Sequence, residues 1–124
     1  MKISADGQLL RVYIGESDMW QGRPLYEAII LKARELGIAG ATMLRGLMGY
    51  GASSRIHTAK ILRLSEDLPI VIEIVDSAEK LAVLLPYIDD MVREGLITLE
   101  NVRVIQYRSS SHSGAPADDT EGAE

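Results

Sequence analysis

Two apolar segments separated by a long polar loop place the strongest constraint on how this chain folds. The segments cover residues 41–48 and 68–75, and the loop opens with GYGASSRIHTAK at residues 49–60. Gly49 and Gly51 free the backbone to take positive φ and to approach a ligand without a side chain in the way. We therefore predict two strands joined by a functional loop or, on composition alone equally well, by an ordinary connection.

The loop carries side chains that suit an anionic ligand. They supply several hydrogen-bond donors within a few residues of the glycine pair, as the functional interpretation requires, although Gly and Ser are also common in any loop. These donors are Ser53, Ser54, Arg55, His57, Thr58 and Lys60.

Composition limits the class of protein. The chain has 124 residues, 47% of them hydrophobic, which fits one domain that buries roughly two thirds of its unfolded surface. It has no cysteine, no secretory pattern and no eighteen-residue apolar run, so we expect a cytoplasmic protein without disulfides or thiolate metal sites. Four of its acidic residues lie in the last seven positions, and the nearly neutral remainder argues against nucleic-acid binding.

Periodicity along the chain predicts six main elements in the order β-α-β-β-α-β. Residues 8–14 alternate as a strand, a helix follows from Pro24 to its stop at Gly37, and the two apolar segments form the second and third strands. The last strand is predicted at about residues 102–107, after a turn at residues 95–101.

The second helix carries two local signals. Asp76 followed three residues later by Glu79 is a capping signature, and the apolar periodicity then continues to Glu94. Pro86 interrupts this helix and predicts a kink or a break, because proline removes a backbone hydrogen bond and clashes with the preceding turn.

This order is typical of the ferredoxin-like α+β fold, a four-stranded antiparallel sheet with both helices on one face. The uncovered face is predicted to mix aliphatic and charged side chains, with Arg45 or Arg103 pairing with Glu73. Such a mixture suits a subunit interface, so we expect an oligomer. The predicted residues of this face are Leu9, Arg11, Tyr13, Met43, Arg45, Leu47, Val71, Glu73, Arg103, Ile105 and Tyr107.

The element order together with several short motifs resembles the PII signalling proteins of the GlnB-like superfamily. The chain is most similar to the PII-like domain-of-unknown-function family 190, and the resemblance covers about residues 8–108. The matching motifs are GIAGAT at 37–42, GYG at 49–51, HT at 57–58 and VRVI at 102–105 leading to Arg108, together with GRPLY at 22–26, RG at 45–46 and LSEDLP at 64–69.

The resemblance implies a homotrimer that binds an adenine nucleotide between neighbouring subunits. It further implies a regulatory protein whose loop after the second strand docks on a partner such as a membrane transporter or channel. By matching position, Thr42 would hold the adenine, the loop glycines would approach the phosphates and Arg108 would meet phosphate charge. The nucleotide-binding residues implied in this way are Thr42, Gly49, Tyr50, Gly51, Arg55, His57 and Arg108.

Two departures from the PII pattern bear on the ligand. PII proteins have arginines where this chain has Ala52 and Gln106, and its turn at residues 95–101 lacks their glycine-rich, lysine-bearing sequence. Fewer cations favour AMP or ADP over ATP. We expect no obligatory cofactor, a domain at residues 1–108 with a flexible loop at 49–66, and a disordered acidic tail at 109–124.

Other functions are weighed against this one. A metal site on His57 would need carboxylates from elsewhere, and nothing in the spacing demands them. The chain has no nucleophile-base arrangement, so we predict that it is not an enzyme, and a small enzyme acting on a phosphorylated ligand is the less favoured hypothesis. The alternative to the regulatory function is a ligand-free or metal-related trimeric scaffold resembling CutA.

Overall fold

The computed structural model of this protein describes residues 6–50 and 67–109. The predictions of a flexible loop and a disordered tail therefore fall largely outside the described residues. The strands are β1 (Asp6–Gly15), β2 (Met19–Trp20), β3 (Arg23–Pro24), β4 (Ala41–Arg45), β5 (Pro69–Asp76) and β6 (Leu96–Arg103), and the helices are α1 (Leu25–Glu35) and α2 (Ala78–Met91).

Four of the strands form one antiparallel sheet in the order β4-β5-β1-β6, and β2 pairs with β3 in a separate hairpin. Both helices pack on the same face of the sheet, since their buried side chains form one cluster with alternate residues of β1 and β5. This arrangement confirms the predicted ferredoxin-like α+β fold.

The core follows from period-two alternation in the central strands. In β5 the side chains at 70, 72 and 74 are fully buried, and their neighbours at 71, 73 and 75 are only half-buried on the opposite face. Each fully buried Leu or Ile contributes roughly 1.5–3 kcal/mol of burial free energy. The core residues are Leu10, Val12, Ile14, Leu25, Ala28, Ile29, Ala33, Ile70, Ile72, Ile74, Leu81, Leu84, Ile88 and Met91.

The strand after α1 is shorter than predicted and lies in the opposite phase. β4 ends at Arg45, and its register places Met43 opposite Ile72, which belongs to the helix-covered face. The prediction that Met43 and Arg45 lie on the uncovered face is therefore wrong, and Thr42 lies there instead, opposite Glu73. A period of two means that an error of one residue in phase reverses every side chain.

The last strand also differs from the prediction. β6 covers Leu96–Arg103, so residues 96–101 form a strand and not a turn. Thr98, Glu100 and Asn101 make this segment look like a loop, but an edge strand carries polar residues readily because one side of it is open to water. Arg103 pairs with Asp6, which the alternation of β1 places on the helix-covered face, contrary to the prediction.

The helix boundaries correct two further predictions. The N-cap of α2 is Ser77, whose Oγ accepts a hydrogen bond from the Lys80 amide, so Asp76 is not the cap. α2 runs without a break through Pro86 and ends at Met91, short of Glu94. Pro86 is exposed, so water can hydrogen-bond to the carbonyl that the proline leaves without a partner.

The β2–β3 hairpin was not predicted, because its residues have the composition of a polar connection. Its two-residue turn, Gln21 and Gly22, has positive φ at both positions, 49° and 82°, as a tight type I′ turn requires. The turn pairs Trp20 with Arg23 and Met19 with Pro24. The hairpin therefore fixes the orientation of the chain's single tryptophan.

The uncovered face of the sheet, which we call the open face, is centred on a charge cluster. Arg11 Nε lies 2.9 Å from Glu73 Oε2, and Arg11 Nη1 lies 3.0 Å from Glu100 Oε1. The pKa of the Arg11 guanidinium is raised above its ordinary value, first of all by the hydrogen bond to Glu73. The expected partners of Glu73 were wrong, since Arg45 pairs instead with Glu16 at 2.8 Å.

Candidate functional site

Four of the predicted nucleotide-binding residues, Thr42, Gly49, Tyr50 and Arg108, fall in the part of the chain that the structure describes, and they lie at two opposite ends of the sheet. At the end that we call the loop end, β4 finishes at Arg45 and β5 begins at Pro69. At the other, which we call the tail end, β4 begins at Ala41 and β5 finishes at Asp76.

A buried carboxylate organises the tail end. Asp76 is only 1% exposed, and its two oxygens accept hydrogen bonds from the amides of Ser77 at 2.7 Å and Ala39 at 2.9 Å. Lys80 Nζ donates to the Gly37 carbonyl at 2.8 Å. A buried carboxylate costs free energy unless it is hydrogen-bonded, so these amides are what allow Asp76 to be buried.

Gly37 begins the connection between α1 and β4, because α1 ends just before it. Its φ is +76°, and its amide donates to the Arg34 carbonyl at 3.1 Å, so it is the left-handed residue that closes the helix. The contacts of Gly37 and Ala39 thus hold residues 37–40 in place. These residues lead into β4, in which the side chain of Thr42 lies on the open face, opposite Glu73.

The chain beyond β6 passes back across the tail end. A Cβ built on Gly7 would lie 3.1 Å from Val104 Cγ2 and 3.1 Å from the Asp76 carbonyl oxygen, so Val104 packs where β1 and β5 meet. Tyr107 Oη lies 3.5 Å from the Ala39 carbonyl oxygen, which is a long and weak hydrogen bond. Arg108 follows directly and is exposed, so it belongs to the tail end together with Thr42.

At the loop end, a backbone hydrogen bond joins the two ends of the connection between β4 and β5. The Gly46 amide donates to the Pro69 carbonyl at 2.8 Å, which joins the two ends of the connection. Gly49 lies against the same proline, since a Cβ at position 49 would lie 3.2 Å from Pro69 Cγ. Tyr50 is the last described residue before the loop and is 69% exposed.

The structure therefore separates the predicted site residues into two half-sites. Thr42 and Arg108 lie at the tail end, and Gly49 and Tyr50 lie at the loop end. The first and last of the five residues of β4 are four steps apart, a distance of about 13 Å at roughly 3.3 Å per step. Gly51, Arg55 and His57 lie outside the described residues.

Sequence reasoning missed the residues that hold the tail end in place. Asp76 was interpreted as a helix cap, although it continues the buried series 70, 72 and 74 and so lies on the helix-covered face. That alternation was the available signal. Lys80 and Tyr107 reach residues 37–39 across long separations in sequence, for which a single sequence gives no signal.

The described residues show neither a cluster of metal ligands nor a membrane-spanning helix. Within residues 6–50 and 67–109, no three His, Asp or Glu side chains are grouped as a metal ion would require. Over the same ranges, no helix combines the length and the apolar character needed to cross a bilayer.

The chain matches known proteins along most of its length. The model of the DUF190 family, described as Uncharacterized ACR, matches residues 7–104. A UPF0166 protein from Aquifex aeolicus (strain VF5) is 40% identical over 98 residues, which cover 79% of this chain and 92% of that protein. A UPF0166 protein from Methanocaldococcus jannaschii is 34% identical over 98 residues, which cover 78% of this chain and 90% of that protein.

Solved structures share the fold at low sequence identity. CPII from Thiomonas intermedia K12, in a structure bound to ADP, AMP and acetate, has a TM-score of 0.58 and 16% identity, with 86% of this chain and 94% of that chain covered. CPII is described as a nitrogen regulatory PII-like protein. The chain therefore belongs to the DUF190 family, and its fold is that of the PII-like proteins.

Proposed function

We propose that this protein is a non-enzymatic, PII-like regulatory protein of the cytoplasm. It binds AMP or ADP between the subunits of a homotrimer and acts on a partner through the loop that follows β4. The partner class is a membrane transporter or channel. The separation of the predicted site into two half-sites at opposite ends of β4 is the observation that carries the proposal.

The two half-sites explain why subunits are needed. The tail end offers Thr42 and the Arg108 guanidinium, whereas the loop end offers Gly49 and the start of the loop. One chain holds these groups at opposite ends of its sheet, so a contact between the tail end of one subunit and the loop end of the next would bring both kinds of group to one nucleotide. Such a head-to-tail contact generates a closed ring when the rotation between neighbouring subunits closes, and an open filament otherwise. The resemblance to PII proteins favours the ring.

The open face of the sheet supports an assembly of this kind. Tyr13, Leu44 and Leu96 are 37%, 50% and 54% exposed, and they share this face with the Arg11 charge cluster. Apolar surface that surrounds a hydrogen-bonded charge cluster is typical of a subunit interface, in which the ions set the orientation and the apolar residues exclude water. The number of three subunits rests on the resemblance to PII proteins.

The choice of AMP or ADP follows from the charges. Arg108 is the predicted phosphate cation of the tail end, and Ala52 and Gln106 stand where PII proteins have two more. Each missing cation removes attraction that grows with the number of phosphates. The ADP and AMP bound to CPII support this class of ligand at the level of a shared fold.

A titration of the purified protein with AMP, ADP, ATP and cyclic AMP in a calorimeter tests the proposal. We expect saturable binding of AMP or ADP without product formation. The absence of binding by all four nucleotides would favour a ligand-free scaffold, and the appearance of hydrolysis products would favour an enzyme.

A mixing experiment tests whether two subunits build the site. Arg108→Ala damages the tail half-site and Gly51→Val damages the loop half-site, because a β-branched residue disfavours positive φ and blocks close approach of the backbone. If equal amounts of the two variants are unfolded and refolded together, about a quarter of the head-to-tail interfaces should combine two intact halves. Recovery of that fraction of sites supports a shared site, and no recovery contradicts it.

Co-purification tests the partner. The intact protein, carrying an affinity tag, is recovered from detergent-solubilised membranes with AMP present or absent. We expect a transporter or channel to be retained in a nucleotide-dependent manner, and equal retention by the Arg55→Ala, Lys60→Ala double variant would contradict docking through the loop.

A further inference from the structure

An open cavity of about 430 Å³ lies beside the β2–β3 hairpin, and none of the predicted nucleotide-binding residues that the structure describes lines it. Its volume falls in the range of roughly 300–1000 Å³ that is usual for small-molecule sites. It is lined by Asp18, Met19, Trp20, Leu25, Met91, Arg93 and Glu94.

The apolar part of the lining is built on fixed elements. Leu25 and Met91 are 3% and 4% exposed, and both belong to the hydrophobic core. Trp20 packs partly against that core from the hairpin, whose tight turn restricts its movement. The Leu25 amide donates to the Asp18 carbonyl at 2.8 Å and so joins the hairpin to the start of α1. This part of the lining is therefore organised before any ligand binds.

The charged part of the lining has both signs. Among the residues that the structure describes, Arg93 and Glu94 have no ion-pair or side-chain hydrogen-bond partner. Asp18 Oδ2 accepts a hydrogen bond from the Gly15 amide at 3.0 Å, which fixes the position of that carboxylate. A guanidinium and two carboxylates thus line a cavity whose other residues are apolar.

The end of α2 adds to the electrostatics. The last turn of this helix contains no basic residue, so the partial negative charge of its carbonyl end is not compensated by its own side chains. Met91, which ends the helix, lines the cavity. This end therefore attracts a positive group, either the Arg93 guanidinium two residues further along the chain or an ammonium on a ligand.

The geometry points to a second small-molecule site, for a zwitterion with an apolar side chain such as an L-α-amino acid. The Arg93 guanidinium would bind the carboxylate, and the carboxylates of Glu94 and Asp18 together with the end of α2 would bind the ammonium. The apolar side chain would lie against Trp20 and the two methionines. A plain anion would meet two carboxylates and a plain cation would meet the guanidinium, so neither satisfies the whole lining.

The single tryptophan of the chain makes the test direct. We would titrate the intact protein with L-leucine and follow Trp20 fluorescence and, in parallel, the heat of binding. A saturable response in either measurement is expected. The absence of a response in both up to about 10 mM, which corresponds to roughly −2.7 kcal/mol, would overturn the proposal.

Two analogues and three variants establish the charge pattern. We expect 4-methylpentanoate, which lacks the ammonium, and 3-methylbutylamine, which lacks the carboxylate, to bind at least about tenfold more weakly than L-leucine. Arg93→Gln and Glu94→Gln should each weaken L-leucine binding by a similar factor, whereas Arg34→Gln, on an exposed position of α1, should not. Equal binding of either analogue, or unchanged binding in Arg93→Gln, would overturn the proposal.

Discussion

The Asp76 carboxylate accepts a hydrogen bond of 2.9 Å from the amide of Ala39, across 37 positions of sequence. This contact joins the end of β5 to the connection that leads into β4. It fixes the position from which Thr42 enters the open face, so the proposed adenine-binding half-site depends on a residue that is itself buried and does not touch the ligand.

Replacement of Asp76 by Asn should therefore destabilise the protein and weaken nucleotide binding. The amide keeps the volume but places an N–H₂ group where one of two backbone N–H donors needs an acceptor. We expect a loss of about 1–3 kcal/mol in the free energy of unfolding, measured by urea denaturation. Asp90→Asn, on the exposed side of α2, is the matched control and should change little. Equal stability of the two variants would contradict this role of Asp76.

The N-cap residue of α2, Ser77, should contribute separately to the stability of the protein. Ser77→Ala removes the acceptor of the Lys80 amide, so it should lower the free energy of unfolding by about 1 kcal/mol. Thermal unfolding followed by circular dichroism measures this change. Ser17→Ala, on an exposed position outside both helices, serves as the control, and a larger effect at Ser17 than at Ser77 would show that the cap is wrongly assigned.

The Arg11 cluster should decide whether subunits associate. Arg11→Met leaves Glu73 and Glu100 as unpaired like charges on the open face, so we expect dissociation at micromolar concentration in sedimentation equilibrium. Restoring neutrality with Glu73→Gln and Glu100→Gln in the same chain should recover the oligomer. A stable monomer of the unaltered protein would remove the proposed interface altogether.

The pH dependence of this cluster follows from the sign of the pKa shift. The pKa of Arg11 is raised in the folded state, chiefly by the hydrogen bond to Glu73. Its stabilising contribution is therefore complete below the ordinary arginine pKa and is lost only as the pH rises through the raised value. Sedimentation should accordingly show no dissociation that arises from Arg11 at any pH near neutrality.

Nucleotide affinity should depend on Arg108. Arg108→Ala should weaken AMP binding by about 1.5–3 kcal/mol, the usual contribution of a hydrogen bond to a charged group, and leave the oligomer intact. Calorimetry measures this loss, and Arg34→Ala is the control. Affinity should not rise steeply from AMP to ATP, because two cations of the PII pattern are missing. Tight ATP binding without AMP binding would reverse that ranking.

The central elements of the fold were predictable because burial imposes a strict period on them. Ile70, Ile72 and Ile74 alternate with residues of the other face, and this pattern fixed the third strand to within one residue. The edges were harder. β4 and β6 bury less, so their composition constrains phase and boundaries weakly, and this is why Met43 was placed on the wrong face and Glu100 in a turn.

The candidate site was predictable as a set of residues but not as an arrangement. The sequence motifs indicate Thr42, Gly49 and Arg108 as ligand-binding residues. Their division between two ends of the sheet follows from the strand order, which a single sequence does not reveal. The cavity beside Trp20 could not be predicted from the sequence either. Its lining joins the hairpin to the end of α2, and the turn at Gln21 and Gly22 resembles any polar connection until its φ angles are known.

The hydrogen bond between the Gly46 amide and the Pro69 carbonyl has a consequence for protein engineering. This bond holds residues 46 and 69 together, and Asp67 and Leu68 are tied to the amides of Ser17 and Glu16. The sheet is therefore expected to tolerate changes between Tyr50 and Asp67, but not the loss of Asp67 or Leu68. Closing a flexible segment costs only about 0.6 kcal/mol for each doubling of its length. Foreign peptides of different lengths and chemistries are therefore expected to be exchangeable between Tyr50 and Asp67 while the nucleotide-free sheet keeps its melting temperature, which makes this interval a suitable acceptor site for loop grafts.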